Sequence, residues 1–270
     1  MNEPALIDIH NATIWRGSTQ VFTGLDLVIE QHERVAILGP NGSGKTTLLK
    51  TINREIYPVV ASDSHVRILG KDRWNVWDLR REIGVVSHDL HQRYSPRTTA
   101  LEVAVSGFHS SIGVHGTLAR NVSNEQIEKA RTILDVLSIA DLADTEFRSM
   151  STGQQRRCLL GRALVHEPRT LILDEPTTGL DFAASFDYLE KIRDLSVRGC
   201  NIVLVTHHLN EIPPEVDRVV ILDEGRVAAD GRKEEVLDSD LLSAIYDTRI
   251  GIVEVDGYFL AYPERQSPKT

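Results

Sequence analysis

The chain has 270 residues, 41% of them hydrophobic, with 30 Lys and Arg against 39 Asp and Glu, a profile that excludes disordered, collagenous and low-complexity classes. The net charge of −9 argues against indiscriminate binding to a nucleic-acid backbone, so no nucleic acid is expected as a partner. Cys158 and Cys200 are the only cysteines, which leaves no material for a disulfide framework or a zinc ribbon and makes a reducing compartment the expectation.

At roughly 150 residues per domain the length suits one large domain or two intimate ones. No run approaches the roughly 18 apolar residues that span a bilayer, and the opening MNEPALIDIH lacks the basic, apolar, small-residue order of a signal peptide. A chain that neither crosses a membrane nor enters one by itself is expected.

Residues 5–13 and 25–30 alternate apolar with polar, as half-exposed antiparallel strands do, and predict a small β-layer. Short apolar runs rich in β-branched residues follow at Val35–Leu38, Ile83–Val86, 171–173, 202–205 and 219–222. They read as buried strands of a mainly parallel sheet in an α/β fold.

Directly after Val35–Leu38 comes GPNGSGKTT, which fits the phosphate-loop pattern through Gly39, Gly44, Lys45 and Thr46 and runs into a helical segment over residues 47–52. Glycines let successive backbone N–H groups turn inward around phosphate oxygens, and the helix N-terminus adds its positive end. The loop residues Gly39, Pro40, Asn41, Gly42, Ser43, Gly44, Lys45, Thr46 and Thr47 are therefore candidate nucleotide-phosphate-binding residues. Lys45 neutralises the β- and γ-phosphates, and Thr46 offers a hydroxyl to Mg²⁺, which prefers oxygen ligands.

From 98 to 165 the strand signals vanish. Apolar residues in 101–105, 127–137 and 158–164 take helical spacing, and Ser123 with Gln126 has the capping-box form. An inserted all-helical subdomain is predicted there. The run LILDEPTTGLD then ends a buried strand in Asp174 and Glu175, where ligands bind in open α/β sheets. Asp174 is the candidate for the Mg²⁺ shell and Glu175 for the general base or water orienter. Residues 237–246 read as a helix, and Asp256-Gly257 between Ile250–Val255 and 258–262 is a hairpin signal.

At MSTGQQRR, residues 150–157, the sequence resembles the L-S-G-G-Q signature of the ATP-binding cassette (ABC) family. The phosphate loop, the signature, Asp174-Glu175, the segment Thr178-Gly179-Leu180-Asp181 and the segment Val205-Thr206-His207 follow in that family's order. The resemblance covers residues 5–235, with 236–265 as a C-terminal helix and hairpin extension. It implies a P-loop NTPase core with an antiparallel β-layer and a helical subdomain, and Mg²⁺-dependent ATP hydrolysis. Ser151, Gly153 and Gln154 are then a helix N-terminus that reaches ATP held by a second copy, in a head-to-tail homodimer. A plain Ser N-cap is the competing reading of this string. Trp15 corresponds to the aromatic residue that stacks on adenine, against the alternative of a core Trp. His207 corresponds to a histidine that bonds the γ-phosphate.

Two positions depart from the family pattern. His88 stands where Gln is usual, and imidazole suits Mg²⁺ poorly, so it contacts water or gives the site pH sensitivity. Thr152 replaces a glycine, excluding the positive φ that Gly allows. His88, His91, His109 and His115 lack metal-ligand spacing and read as loop histidines. The tail resembles that of metal-chelate and vitamin importer ATPases. The resemblance therefore implies a subunit at the cytoplasmic face of the membrane, powering separate membrane-spanning subunits. The segments VVSHDLHQRY and SGFHSSIG are similar to a molybdate- or photorepair-associated branch, which keeps open a cytosolic ATPase without a membrane partner. A regulator that binds without hydrolysing is disfavoured by Glu175.

Overall fold

Alternating apolar and polar residues give β1 (Ile7–Arg16) and β2 (Thr19–Ile29) one buried face each. In the computed structural model, which describes residues 3–87, 90, 93–114 and 121–264, these two strands pair antiparallel. The next strand, β3 (Val35–Leu38), is buried at all four residues, as a strand covered on both faces must be. Helix α1 (Lys45–Ile52) follows. Then β4 (His65–Ile68) joins the free edge of β1, giving the order β2-β1-β4. Four residues, HVRI, are too few to display a period, so the sequence shows two strands of this layer and not the third.

The chain divides into two units, Met1–Trp74 with Asn201–Thr270, and Asn75–Cys200. The second unit opens with α2 (Val76–Glu82), which runs straight into β5 (Ile83–Val86). Then come α3 (Ala100–Ser106), α4 (Asn124–Val136) and α5 (Thr152–Leu164), which pack on one another. Each of these three helices starts with a full capping box: Thr99 with Glu102, Ser123 with Gln126, and Ser151 with Gln154. Among the described residues of 98–165 the only β-pairing is an isolated bridge between Thr99 and Glu146. Strand β6 (Thr170–Asp174) lies parallel to β5, and α6 (Phe182–Val197) starts at the N-cap Asp181.

Back in the first unit, β7 (Asn201–Thr206) pairs parallel with β3, whose other edge carries β8 (Arg218–Asp223), again parallel. Antiparallel β9 (Arg226–Arg232) closes that side. The expected helix at 237–246 is α8 (Ser239–Ile245), and a short helix that the sequence reading does not include, α7 (Lys233–Val236), precedes it. The break between the two falls at Asp238, whose carboxylate accepts the N–H groups of Asp240 and Leu241 at 3.0 Å each and starts α8 afresh. Strands β10 (Ile250–Val255) and β11 (Tyr258–Pro263) form the expected hairpin. Both turn residues are left-handed, with φ 51° at Asp256 and 79° at Gly257, as a two-residue hairpin turn requires. Lys233 anchors it, donating from Nζ to the carbonyls of Pro214 at 2.9 Å and Gly257 at 3.3 Å.

Candidate nucleotide-binding site

The loop between β3 and α1 is shaped by positions that admit no side chain. A Cβ on Gly39 would stand 2.2 Å from the backbone oxygen of Leu222, and Gly44, the N-cap of α1, holds φ 111°. The chain can therefore curl its amides inward at the start of a helix. Lys45 is buried and folds back over the loop, its Nζ donating to Gly39 O at 2.7 Å and Pro40 O at 2.9 Å. Ser43 is buried as well, and its Oγ has no hydrogen-bond partner among the described residues. A buried hydroxyl without a partner, in the same loop as a buried ammonium, fits a phosphate cradle. Asn41, Gly42 and Thr46 are exposed, while Pro40 is half-buried and Thr47 buried.

Trp15 is the next-to-last residue of β1 and is 44% exposed, which removes the reading of a core Trp. His207 follows β7, half-buried, its ring 3.9 Å from that of His208. The backbone there is fixed by Thr206, whose Oγ1 accepts the His208 N–H at 2.9 Å and donates to the fully buried Glu211 carboxylate. Sequence reading passes over Glu211, although a carboxylate five residues beyond a strand-ending Thr is its one visible sign.

In the second unit Asp174 closes β6 and Glu175 follows it, both half-buried. Glu175 takes φ 46°, a left-handed backbone uncommon outside Gly, Asn and Asp. Its turn is closed by Thr178, which donates its N–H to Glu175 O at 3.3 Å and its hydroxyl to Glu175 Oε2 at 3.4 Å. At the signature, Ser151 caps α5: its Oγ accepts the Gln154 N–H at 3.3 Å while Gln154 Oε1 accepts the Ser151 N–H at 2.9 Å. The N-cap reading and the ligand reading coexist, because capping leaves first-turn amides such as that of Gly153 without an intrahelical partner. Thr152 is the first helical residue and has no positive φ, so its β-branched side chain meets no conformational conflict.

His88 lies outside the described residues, as do His91 and His115. Among the described residues no group of three or more His, Cys, Asp or Glu is placed to hold a metal ion. The two candidate Mg²⁺ ligands, Thr46 in the first unit and Asp174 in the second, each carry a hard oxygen of the kind that ion selects. Burial pushes the Cys158 thiol up to about 12 and Cys200 to about 11, so neither is a nucleophile at neutral pH. No helix among the described residues is long and apolar enough to cross a membrane.

The family model described as ABC transporter matches residues 22–178. The ABC transporter ATP-binding protein YlmA of Bacillus subtilis is 34% identical over 253 residues, 92% of this chain and 93% of that protein. The Fe(3+) ions import ATP-binding protein FbpC of Streptomyces coelicolor is 33% identical over 235 residues, 86% of this chain and 64% of that protein. A metal-chelate type ABC transporter in an inward-facing conformation superposes with a TM-score of 0.77 at 22% identity, covering 97% of this chain and 98% of the other. A dimeric bacterial ABC transporter cassette superposes with a TM-score of 0.67 at 26% identity, covering 84% of this chain and 98% of the other.

Proposed function

We propose that this chain, which belongs to the ABC transporter family and is an ATPase of the ABC cassette fold, powers import of a metal chelate or similar small solute through separate membrane-spanning subunits. The observation that carries the reading is the phosphate loop, with its left-handed Gly44, the buried Lys45 and the Ser43 hydroxyl without a partner among the described residues. Import is supported by the 33% identity to FbpC, a protein named for iron import. The likeness to a metal-chelate transporter across 97% of the chain takes in the C-terminal hairpin and supports the fold of that extension.

The proposed division of labour follows from the chemistry of each side chain. Trp15 stacks on adenine without reading its edge. Loop amides from Gly39 to Thr47 and the Lys45 ammonium bind the β- and γ-phosphates. Thr46 and Asp174 hold Mg²⁺, which supplies charge neutralisation on the phosphate oxygens. Glu175 accepts the proton of the attacking water, and His207 donates a hydrogen bond to the γ-phosphate. Ser151, Gly153 and Gln154, of which Ser151 is exposed, offer their helix N-terminus to the nucleotide of a second copy, so two copies in head-to-tail arrangement complete two sites. Such a subunit works at the cytoplasmic face of the membrane.

Hydrolysis by the purified chain, with Glu175→Gln retaining ATP binding but turning over about 10²–10⁴-fold more slowly, tests the site. Purification of the native protein from detergent-solubilised membranes tests the transporter. Recovery of stoichiometric membrane-spanning subunits supports the reading, and quantitative recovery in the membrane-free fraction overturns it.

A further inference from the structure

We propose that Arg156 is a positioning residue for hydrolysis: it holds the turn that carries Glu175 in register with the N-terminus of α5. This rests on Glu175 being the group that activates water. Arg156 is only 1% exposed and is the largest fully buried side chain among the described residues. Desolvating a guanidinium is costly, so a contact that holds one in the interior is a structural commitment of the fold. Its Nη2 donates to the backbone oxygen of Thr178 at 3.0 Å.

Thr178 is the far end of the turn that begins at Glu175, which it holds through both its N–H and its hydroxyl. Glu175 stands at φ 46°, and a non-glycine residue keeps such a backbone only where its surroundings impose it. Strand β6 stops at Asp174, so the sheet ladder does not impose it; the turn does, and Arg156 ties the turn's last carbonyl to α5. The same helix end is fastened to α6 twice more. Arg157 pairs with Asp187 at 3.4 Å, and a Cβ on the buried Gly153 would stand 3.2 Å from that of Ala184. Signature helix, Thr178 turn and Glu175 are thus one body inside the unit Asn75–Cys200. Arg156 does this although the signature roles fall on Ser151, Gly153 and Gln154.

Removing the guanidinium frees the left-handed turn to relax and swings the Glu175 carboxylate off the water, while the phosphate loop, in the other unit, keeps its grip. The full chain is tested as Arg156→Gln and Arg156→Lys, alone and in a Glu175→Gln background, by steady-state ATPase and by titration calorimetry with Mg-ATP. Arg156→Gln is expected to lower kcat about 10- to 100-fold, the cost of roughly an ångström of misplacement, with the ATP Kd within about twofold; Lys, which restores a donor, recovers part of the rate. With Gln at 175 the same substitution has no carboxylate left to misplace and lowers the rate no further. Unchanged kcat in Arg156→Gln, or an equal loss in both backgrounds, overturns the proposal. A wild-type rate in Glu175→Gln alone overturns the reading beneath it, and the proposal with it. If Arg156→Gln does not fold, Arg156→Lys decides: it keeps the charge and loses the planar fork, so kcat falls several-fold at constant Kd, and an unchanged kcat overturns the proposal.

Discussion

A buried ammonium that donates to two carbonyls of its own loop, as Lys45 does, is held where phosphate oxygens arrive and needs little rearrangement to exchange partners. Lys45→Ala removes the one side-chain cation of the loop, and its affinity for Mg-ATP is expected to fall at least about 100-fold, since hydrogen-bonded charge pairs removed from water are worth several kcal/mol. Titration calorimetry reads this directly, and an unchanged affinity would exclude the phosphate-loop assignment. His166 carries a different expectation. Burial, and then the charge of Arg81, lower its pKa below the usual value, and its ring meets Phe108 edge-on at 5.4 Å. The folded chain therefore takes up this proton later than the unfolded chain. Stability is complete above about pH 6.5 and declines as pH falls from there towards the lowered value. Replacing His166 by Leu should flatten that part of the acid limb in urea denaturation at successive pH values, and coincident limbs would exclude the assignment. Residues of the first kind are legible because GPNGSGKTT is dictated by local backbone and charge. Arg156 on Thr178 and Thr206 on Glu211 are not, because each contact exists only once the fold has brought its partners together.

Among the elements, those that the sequence displays best are the ones with a single environment. Strands β3, β6, β7 and β8 are buried on both faces and read as apolar runs. Strand β9 has no buried residue at all, so no apolar pattern betrays it. Helix α6 exposes Phe182 and Phe186, at 81% and 61%, which blurs the stripe that its buried Tyr188, Leu189 and Ile192 would otherwise draw. Helix starts are written more plainly than helix interiors, since a cap is a local bargain between one side chain and one amide. Thr99 is a case in point, accepting the Glu102 N–H at 3.2 Å while Glu102 accepts the Thr99 N–H at 2.8 Å. Thr99→Ala removes the half of this box made by the Thr99 hydroxyl, leaves the backbone N–H on Glu102, and should cost about 1 kcal/mol, read as a lower urea midpoint with the ATP Kd unchanged. A cost near zero would mean that the bridge from Thr99 to Glu146 holds the helix start without the cap.

For the molecule as a whole the decisive feature is that Ser151, though it sits at the start of a long helix, is exposed. A helix N-terminus with an exposed cap, whose first-turn amides have no intrahelical partner, suits an anionic ligand. In the proposed head-to-tail pair that ligand is the γ-phosphate on the other copy, and hydrolysis then removes the group that holds the two together. Association is therefore linked to the nucleotide state: whatever binds the pair and not the single chain shifts the equilibrium by mass action. Glu175→Gln at saturating Mg-ATP, where the γ-phosphate persists, should sediment as a dimer at micromolar concentration, and the same protein with ADP as a monomer. Ser151→Arg, added to Glu175→Gln, places a long side chain at the capped turn and should abolish the dimer while leaving the calorimetric affinity of each phosphate loop in place. Persistence of the dimer in that double variant would show that the copies meet through another surface. A monomer in every nucleotide state would leave α5 without its second ligand and the composite site without support.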